Sequence, residues 1–317
     1  MKKACRNLHN YKLMKTILLF PGQGAQVVGM GKAWYDASDT VRKCFDLADK
    51  ILPFRLSDLC FNGPTEALQE TRVCQPALFV VGYAIFDHLK KIGVFDKNPI
   101  IATTGISLGE LTALAVADVF DFETGLKMVA ERGRLMQEAC DMQPTGMLAL
   151  IAGTDEALKK LCDDFDLDVS NKNCPGQTVV SGTLENLKKA EFIAKERGFK
   201  MAIPLKVAGA YHSRWMQPAR VQFEAYLKSV PFKTPSVTIL TNTTGEAIRD
   251  PEAIRTALGL QLTSTVLFEK CLRKCSEQNS DICLECGPGN VIAGLAKRTD
   301  ASLNVKGASE PDIIQTL

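Results

Sequence analysis

At 317 residues, the chain exceeds the length at which one hydrophobic core usually stops growing, so a large domain carrying a smaller inserted one is expected. Hydrophobic residues make up 46% and charged residues 23%, with 38 basic side chains against 36 acidic ones and a formal charge of +2. That balance excludes a disordered or coiled chain, and the dispersed basic residues exclude a nucleic-acid surface.

The segment up to Lys15 carries Lys2, Lys3, Arg6, Lys12 and Lys15 and no acidic residue. No apolar stretch with a small-residue cleavage site follows, so it is not a secretory signal. Residues 1–14 read as a disordered N-terminal extension, with an alternative start at Met14 or an organelle presequence remnant also open. Thr16-Ile17-Leu18-Leu19-Phe20 reads as a buried strand feeding the glycine-rich turn Pro21-Gly22-Gln23-Gly24, where a strand end can hold a ligand. Helical spacing of apolar residues runs from Glu66 to Lys91, with a kink or restart expected at Gln75-Pro76. A short strand, Ile100–Thr104, meets the turn Gly105–Gly109 and then a helix through Leu111, Leu114, Ala115 and Val116; a further helix is expected from Val129 to Cys140.

Residues 142–207 follow a rhythm of their own: strand Gly146–Ala152, helix Asp155–Cys162, strands Leu167–Asn173 and Gln177–Ser181, helix Leu184–Arg197 and strand Phe199–Lys206. The β-α-β-β-α-β order predicts an inserted ferredoxin-like subdomain. The main α/β pattern, over 15–141 and 208–317, resumes with strands near Ser236–Thr241 and Asp281–Cys286 and a helix after Gly287-Pro288-Gly289-Asn290. Eleven scattered cysteines match neither a disulfide scaffold nor a zinc ribbon and point to a reducing compartment. Cys283 and Cys286 form a lone CxxC whose members fall on opposite strand faces, so no metal is expected there. The apolar runs are too short to cross a bilayer.

Gly105-Ile106-Ser107-Leu108-Gly109 places a serine between strand and helix, where a GxSxG elbow lifts the hydroxyl above the sheet edge. The same pattern also occurs as a plain serine N-cap, so a base must be found. Only three histidines exist: His9 in the extension, His88 on a core-packed helix, and His212 in the small-residue loop Ala208-Gly209-Ala210-Tyr211-His212-Ser213. The last is the one placed to serve Ser107.

These segments resemble the malonyl-CoA:acyl carrier protein transacylases of fatty acid synthesis, relatives of the acyltransferase domains of polyketide synthases. The likeness runs from Thr16 to about Leu295. It rests on Phe20-Pro21-Gly22-Gln23-Gly24, Gly105-x-Ser107-Leu108-Gly109-Glu110, Arg132-Gly133-x-x-Met136-Gln137, Asn171-x-Asn173, Gly209-Ala210-Tyr211-His212-Ser213, Gln261-Leu262 and Gly287-Pro288-Gly289, all in order. The resemblance implies an α/β-hydrolase-like large domain with the ferredoxin-like insert. It also implies a Ser107 acyl-enzyme with His212 as base, the Gln261 main-chain carbonyl orienting the histidine, and the amides of Leu108 and Gln23 as oxyanion hole. Arg132 would pair with the malonyl carboxylate, with Gln23, Met136, Asn171 and Tyr211 around the substrate.

By the same resemblance, the substrates are malonyl-CoA and the phosphopantetheine arm of acyl carrier protein, with no cofactor or metal. A monomer in the cytoplasm is implied, or in a mitochondrial or plastid matrix if a presequence was present. Lys188, Lys189, Lys195, Arg197 and Lys200 are candidate contacts for an acidic carrier. Ile106 stands where many relatives have histidine. Thr265 and Phe268 replace the usual proline and tryptophan, which predicts a looser loop after Gln261. Three rivals remain: a discrete polyketide acyltransferase, a serine esterase or thioesterase, and a non-catalytic binding module.

Overall fold

The computed structural model describes residues 13–317; His9 and most of the N-terminal extension lie outside them. Among the described residues, ten strands form two sheets. The first contains β1 (Thr16–Phe20), β2 (Ile100–Gly105), β7 (Thr238–Leu240), β8 (Ala247–Ile248), β9 (Ile282–Glu285) and β10 (Val305–Gly307), in the order β10-β9-β1-β2-β7-β8. All neighbours are parallel except β7 and β8. The central strand β1 is buried along its whole length, as a continuous apolar run covered on both faces must be.

The second sheet contains β3 (Thr145–Ile151), β4 (Asp168–Cys174), β5 (Gln177–Thr183) and β6 (Met201–Pro204), in the order β4-β5-β3-β6 with every pair antiparallel. Helices Asp155–Phe165 and Leu184–Ile193 complete the ferredoxin-like succession. Both open on a threonine N-cap, Thr154 and Thr183, whose hydroxyl accepts an amide of the first turn. Leu148, Leu150, Val180, Leu161 and Leu187 form a separate core under this sheet. The architecture is therefore α/β, a mostly parallel sheet joined to a small antiparallel one.

Two local expectations change. Helix Thr71–Lys91 runs unbroken through Pro76, and the chain breaks instead at Glu70, between helices Thr65–Gln69 and Thr71–Lys91. Proline near a helix start deprives only one carbonyl of its donor. Here that carbonyl belongs to Arg72, an exposed residue on an otherwise buried stretch. The Val129–Cys140 helix is longer than expected, spanning Phe122–Asp141 with Asp121 as its N-cap.

Cys283 packs with Ile17, Leu19 and Phe268 on one face of the large sheet, and Cys286 with the core on the other. His88 hydrogen-bonds the Ser38 hydroxyl through Nδ1 at 2.8 Å and meets Trp34 edge-on. Among the described residues, no helix is long and apolar enough to cross a membrane. Loops leaving the carboxyl ends of β1 and β2 meet at one crevice, the usual place for a ligand in an open parallel sheet.

Candidate active site

The β2 strand passes through Ile106 to Ser107 and straight into helix Leu108–Val116. Ser107 has φ 54° and ψ −104°, a conformation that costs an L-residue about 1–3 kcal/mol. Two glycines make room for so sharp a turn. A Cβ on Gly105 would lie 2.3 Å from the carbonyl carbon of Gly109, and one on Gly109 would lie 2.1 Å from the Phe20 oxygen. The elbow is also pinned from β7: Asn242 accepts from the Ser107 amide at 2.6 Å and donates its side-chain amide to the Gly105 carbonyl at 2.8 Å.

Beyond the second sheet, the chain returns through a loop that its strands hold. Thr145 on β3 accepts the Ala210 amide at 3.1 Å, and Ser181 on β5 donates to the Tyr211 carbonyl at 3.0 Å. His212 follows, with φ 57°. Its Nε2 lies 2.7 Å from Ser107 Oγ and its Nδ1 2.8 Å from the Gln261 carbonyl. A carbonyl can only accept, so Nδ1 carries the proton and Nε2 is left as the base. This is the serine–histidine geometry of nucleophilic catalysis, with a carbonyl where a triad has its carboxylate.

Burial of the ring, reinforced by the Arg132 cation, pulls the His212 pKa from 6.5 down to about 4, with the Gln261 carbonyl opposing the fall. The imidazole is therefore neutral and ready as a base at pH 7. The unfolded chain takes up this proton first, so stability present above pH 6.5 is lost as the pH falls toward about 4. Acylation kcat/KM should stay level through pH 6 and lose about tenfold per unit only below the folded-state value. A pH–rate profile checks this. In Arg132→Ala, which removes the neighbouring cation, the acid limb should move up.

Arg132, on helix Phe122–Asp141, is only 1% exposed. It donates to Gln75 Oε1 at 2.6 Å, Gln261 Oε1 at 2.8 Å and Ser107 Oγ at 3.1 Å. All three partners are uncharged, and Nε–H has no partner. Burial lowers the guanidinium pKa to about 10, so it remains a cation at neutral pH. A buried cation among neutral acceptors, with a donor left over, suits a carboxylate-bearing ligand.

A cavity of about 500 Å³ opens above these groups. Ser107, Leu108, Gln23, Arg132, Met136, Asn171, Tyr211 and His212 all line it, while Gln261 lies behind. Leu108 is the first residue of its helix, so its N–H is outside the intrahelical ladder. The Gln23 loop reaches the elbow through Ile106, whose amide donates to the Phe20 carbonyl at 3.0 Å. The Gln23 side chain donates to the Tyr211 hydroxyl at 3.3 Å, and that hydroxyl also bonds Thr71. Met136 Sδ takes the Gln75 amide at 3.3 Å. Asn171 on β4 bridges to Val266, and Ile106 lines the cleft beside the serine.

The loop after Gln261 differs from the looser segment expected of Thr265 and Phe268. Thr265 Oγ1 donates to the Val169 carbonyl at 2.6 Å, and Val266 exchanges backbone bonds of 2.8 and 2.9 Å with Ser170 and Lys172. Phe268 is fully buried. Hydrogen bonds to β4 hold the segment in place.

Three residues of the site had no assigned role in the sequence: Gln75, Glu110 and Asn242. A glutamate in the otherwise apolar first turn of Leu108–Val116 is a readable signal. Gln75 is a polar residue on a buried helix. Asn242 carries no local signal at all.

A family model described as acyl transferase domain matches residues 17–314. The malonyl CoA-acyl carrier protein transacylase of Bacillus subtilis is 35% identical over 308 residues, covering 96% of each chain. The crystal structure of an acyl carrier protein S-malonyltransferase from Vibrio cholerae superposes with a TM-score of 0.89 at 34% identity, covering 95% of this chain and 99% of that one. A malonyl-transacylase in complex with its type II PKS acyl-carrier protein gives 0.91 at 32% identity, covering 95% and 98%. A nucleophile elbow facing a histidine, matched along nearly the whole chain, places this protein in the acyl transferase domain family.

Proposed function

We propose that this enzyme moves a malonyl group from malonyl-CoA to the phosphopantetheine thiol of acyl carrier protein, through an ester on Ser107. The observation that carries the substrate choice is the buried Arg132 guanidinium, 3.1 Å from the Ser107 hydroxyl. An acyl group attached at Ser107 and ending in a carboxylate would carry that carboxylate to the guanidinium; an acetyl group would bring it no new acceptor.

His212 Nε2 takes the hydroxyl proton as Ser107 Oγ attacks the thioester carbonyl. The amides of Leu108 and Gln23 would hold the oxyanion, each such donor contributing about 3 kcal/mol. Collapse breaks the carbon–sulfur bond, and the imidazolium returns its proton to the CoA sulfur. The carrier thiol then gives a proton to His212 and attacks the ester, and the proton passes back to Ser107. These steps use only protein groups. Gln23, Met136, Asn171 and Tyr211 shape the acyl and pantetheine path.

We assign the protein to fatty acid synthesis and take residues 142–207 as a unit forming one wall of the cleft, with a cytoplasmic monomer as the working form. The carrier would approach Lys188, Lys189, Lys195, Arg197 and Lys200. Of these, Lys189 and Arg197 already pair with Glu185 and Asp164. One structural neighbour was solved with a polyketide carrier protein, so both carrier classes belong in the test. With malonyl-CoA, thiol release should depend on added carrier and match the malonyl-carrier formed. Release that ignores the carrier would make the protein a thioesterase.

A further inference from the structure

Glu110 is 2% exposed and its carboxylate touches three donors. Oε1 accepts the Thr241 hydroxyl at 2.6 Å; Oε2 accepts the Asn242 amide at 3.0 Å and Gln261 Nε2 at 2.6 Å. A carboxylate in the first turn of a helix is favoured by the helix dipole, but this one is turned inward, where the reaction written above gives it no task. Its third contact matters most. With Nε2 committed to Glu110, Gln261 can only offer Oε1 to Arg132, at 2.8 Å. The amide thus lies head to tail between a buried carboxyl group, whose pKa burial raises, and a buried cation.

We propose that Glu110 is a positioning residue: through the Gln261 side chain it fixes the Arg132 guanidinium at the acyl-carboxylate end of the cleft, and so sets the preference for charged over uncharged acyl groups. The other two contacts are backed up. Asn242 also holds Gly105 through its side chain and accepts the Leu267 amide at 2.8 Å, while Thr241 donates its amide to the Glu246 carbonyl at 3.1 Å and its hydroxyl lies 3.3 Å from that of Thr243. The elbow therefore keeps its anchors when Glu110 changes. Gln261 Nε2 has only one other acceptor, the Ser107 carbonyl at 3.2 Å. Replacing Glu110 by glutamine leaves one acceptor oxygen in place of two and takes any charge out of the hold on Gln261 Nε2, so the Gln261 amide and the guanidinium it meets are held less tightly.

This inference rests on malonyl being the cargo. The test measures kcat/KM for malonyl-CoA and acetyl-CoA in the wild type, Glu110→Gln, Arg132→Ala and the double variant. Glu110→Gln should lower the malonyl value by about 10- to 50-fold and the acetyl value by less than about threefold. In the Arg132→Ala background, the same change should alter neither by more than about twofold, the non-additivity expected of groups acting through one another.

Gln261→Leu removes the bridge but keeps the backbone carbonyl that His212 uses, so it serves where Glu110→Gln does not fold; the same malonyl-selective loss is expected. An equal fall for both substrates, an undiminished malonyl effect without Arg132, or a Gln261→Leu enzyme with intact preference would overturn the proposal. A wild type that does not transfer malonyl would instead overturn the functional reading.

Discussion

Ser107→Ala should give a folded protein that no longer gains the mass of a malonyl ester on incubation with malonyl-CoA, and whose transfer rate falls by about four orders of magnitude or more. The hydroxyl is the atom that carries the acyl group, and the His212 base at 2.7 Å has no other nucleophile in reach of that geometry. The fold should survive because Asn242 grips the backbone amide of Ser107 and not its side chain. Alanine meets the same positive φ that serine already bears. His212→Ala should be nearly as damaging, and the double variant no slower than the worse single one, since the two groups act as one unit. An intact-mass measurement that finds the ester on Ser107→Ala protein would move the nucleophile elsewhere.

Arg132→Ala is the second large effect. Removing one partner of a buried charged contact costs about 3–5 kcal/mol, or about 150- to 4,000-fold in malonyl kcat/KM. Acetyl transfer has no carboxylate to lose and should hold or rise. Competition among malonyl-, methylmalonyl- and acetyl-CoA reads this directly, and a preserved malonyl preference would remove Arg132 from the substrate contact. The variant also leaves Gln75 and Gln261 with buried oxygens facing a void. Some loss of thermal stability should therefore accompany the loss of selectivity, and a thermal melt separates the two.

Much of this site was legible in the chain because its chemistry sits in short, conspicuous segments. The GxSxG elbow announces a strand-to-helix turn by its glycines, and histidine scarcity left His212 with little competition. Arg132 was different. An arginine on a helix reads as surface charge from periodicity alone, and only the Arg-Gly-x-x-Met context turned it inward. The insert was legible because its turns are marked: Gly176 and Gly198 both take positive φ.

What stayed hidden was long-range. Asn242 lies 135 positions from the serine whose amide it holds, and nothing local distinguishes it from any loop asparagine. Pro76 misled because helix breaking is a local rule, whereas helix Thr71–Lys91 is stabilised by burial on nearly every side. The anchoring of Thr265 was equally invisible, since it depends on where β4 comes to rest. Side chains that serve as scaffolding for other side chains leave the weakest trace in a sequence.

The 3.1 Å contact between Arg132 and the Ser107 hydroxyl has an implication for how the enzyme rests. The guanidinium donates to a lone pair of the very oxygen that must attack. An arriving carboxylate outcompetes a neutral hydroxyl for that cation, so docking of the far end of the cargo unlatches the near end.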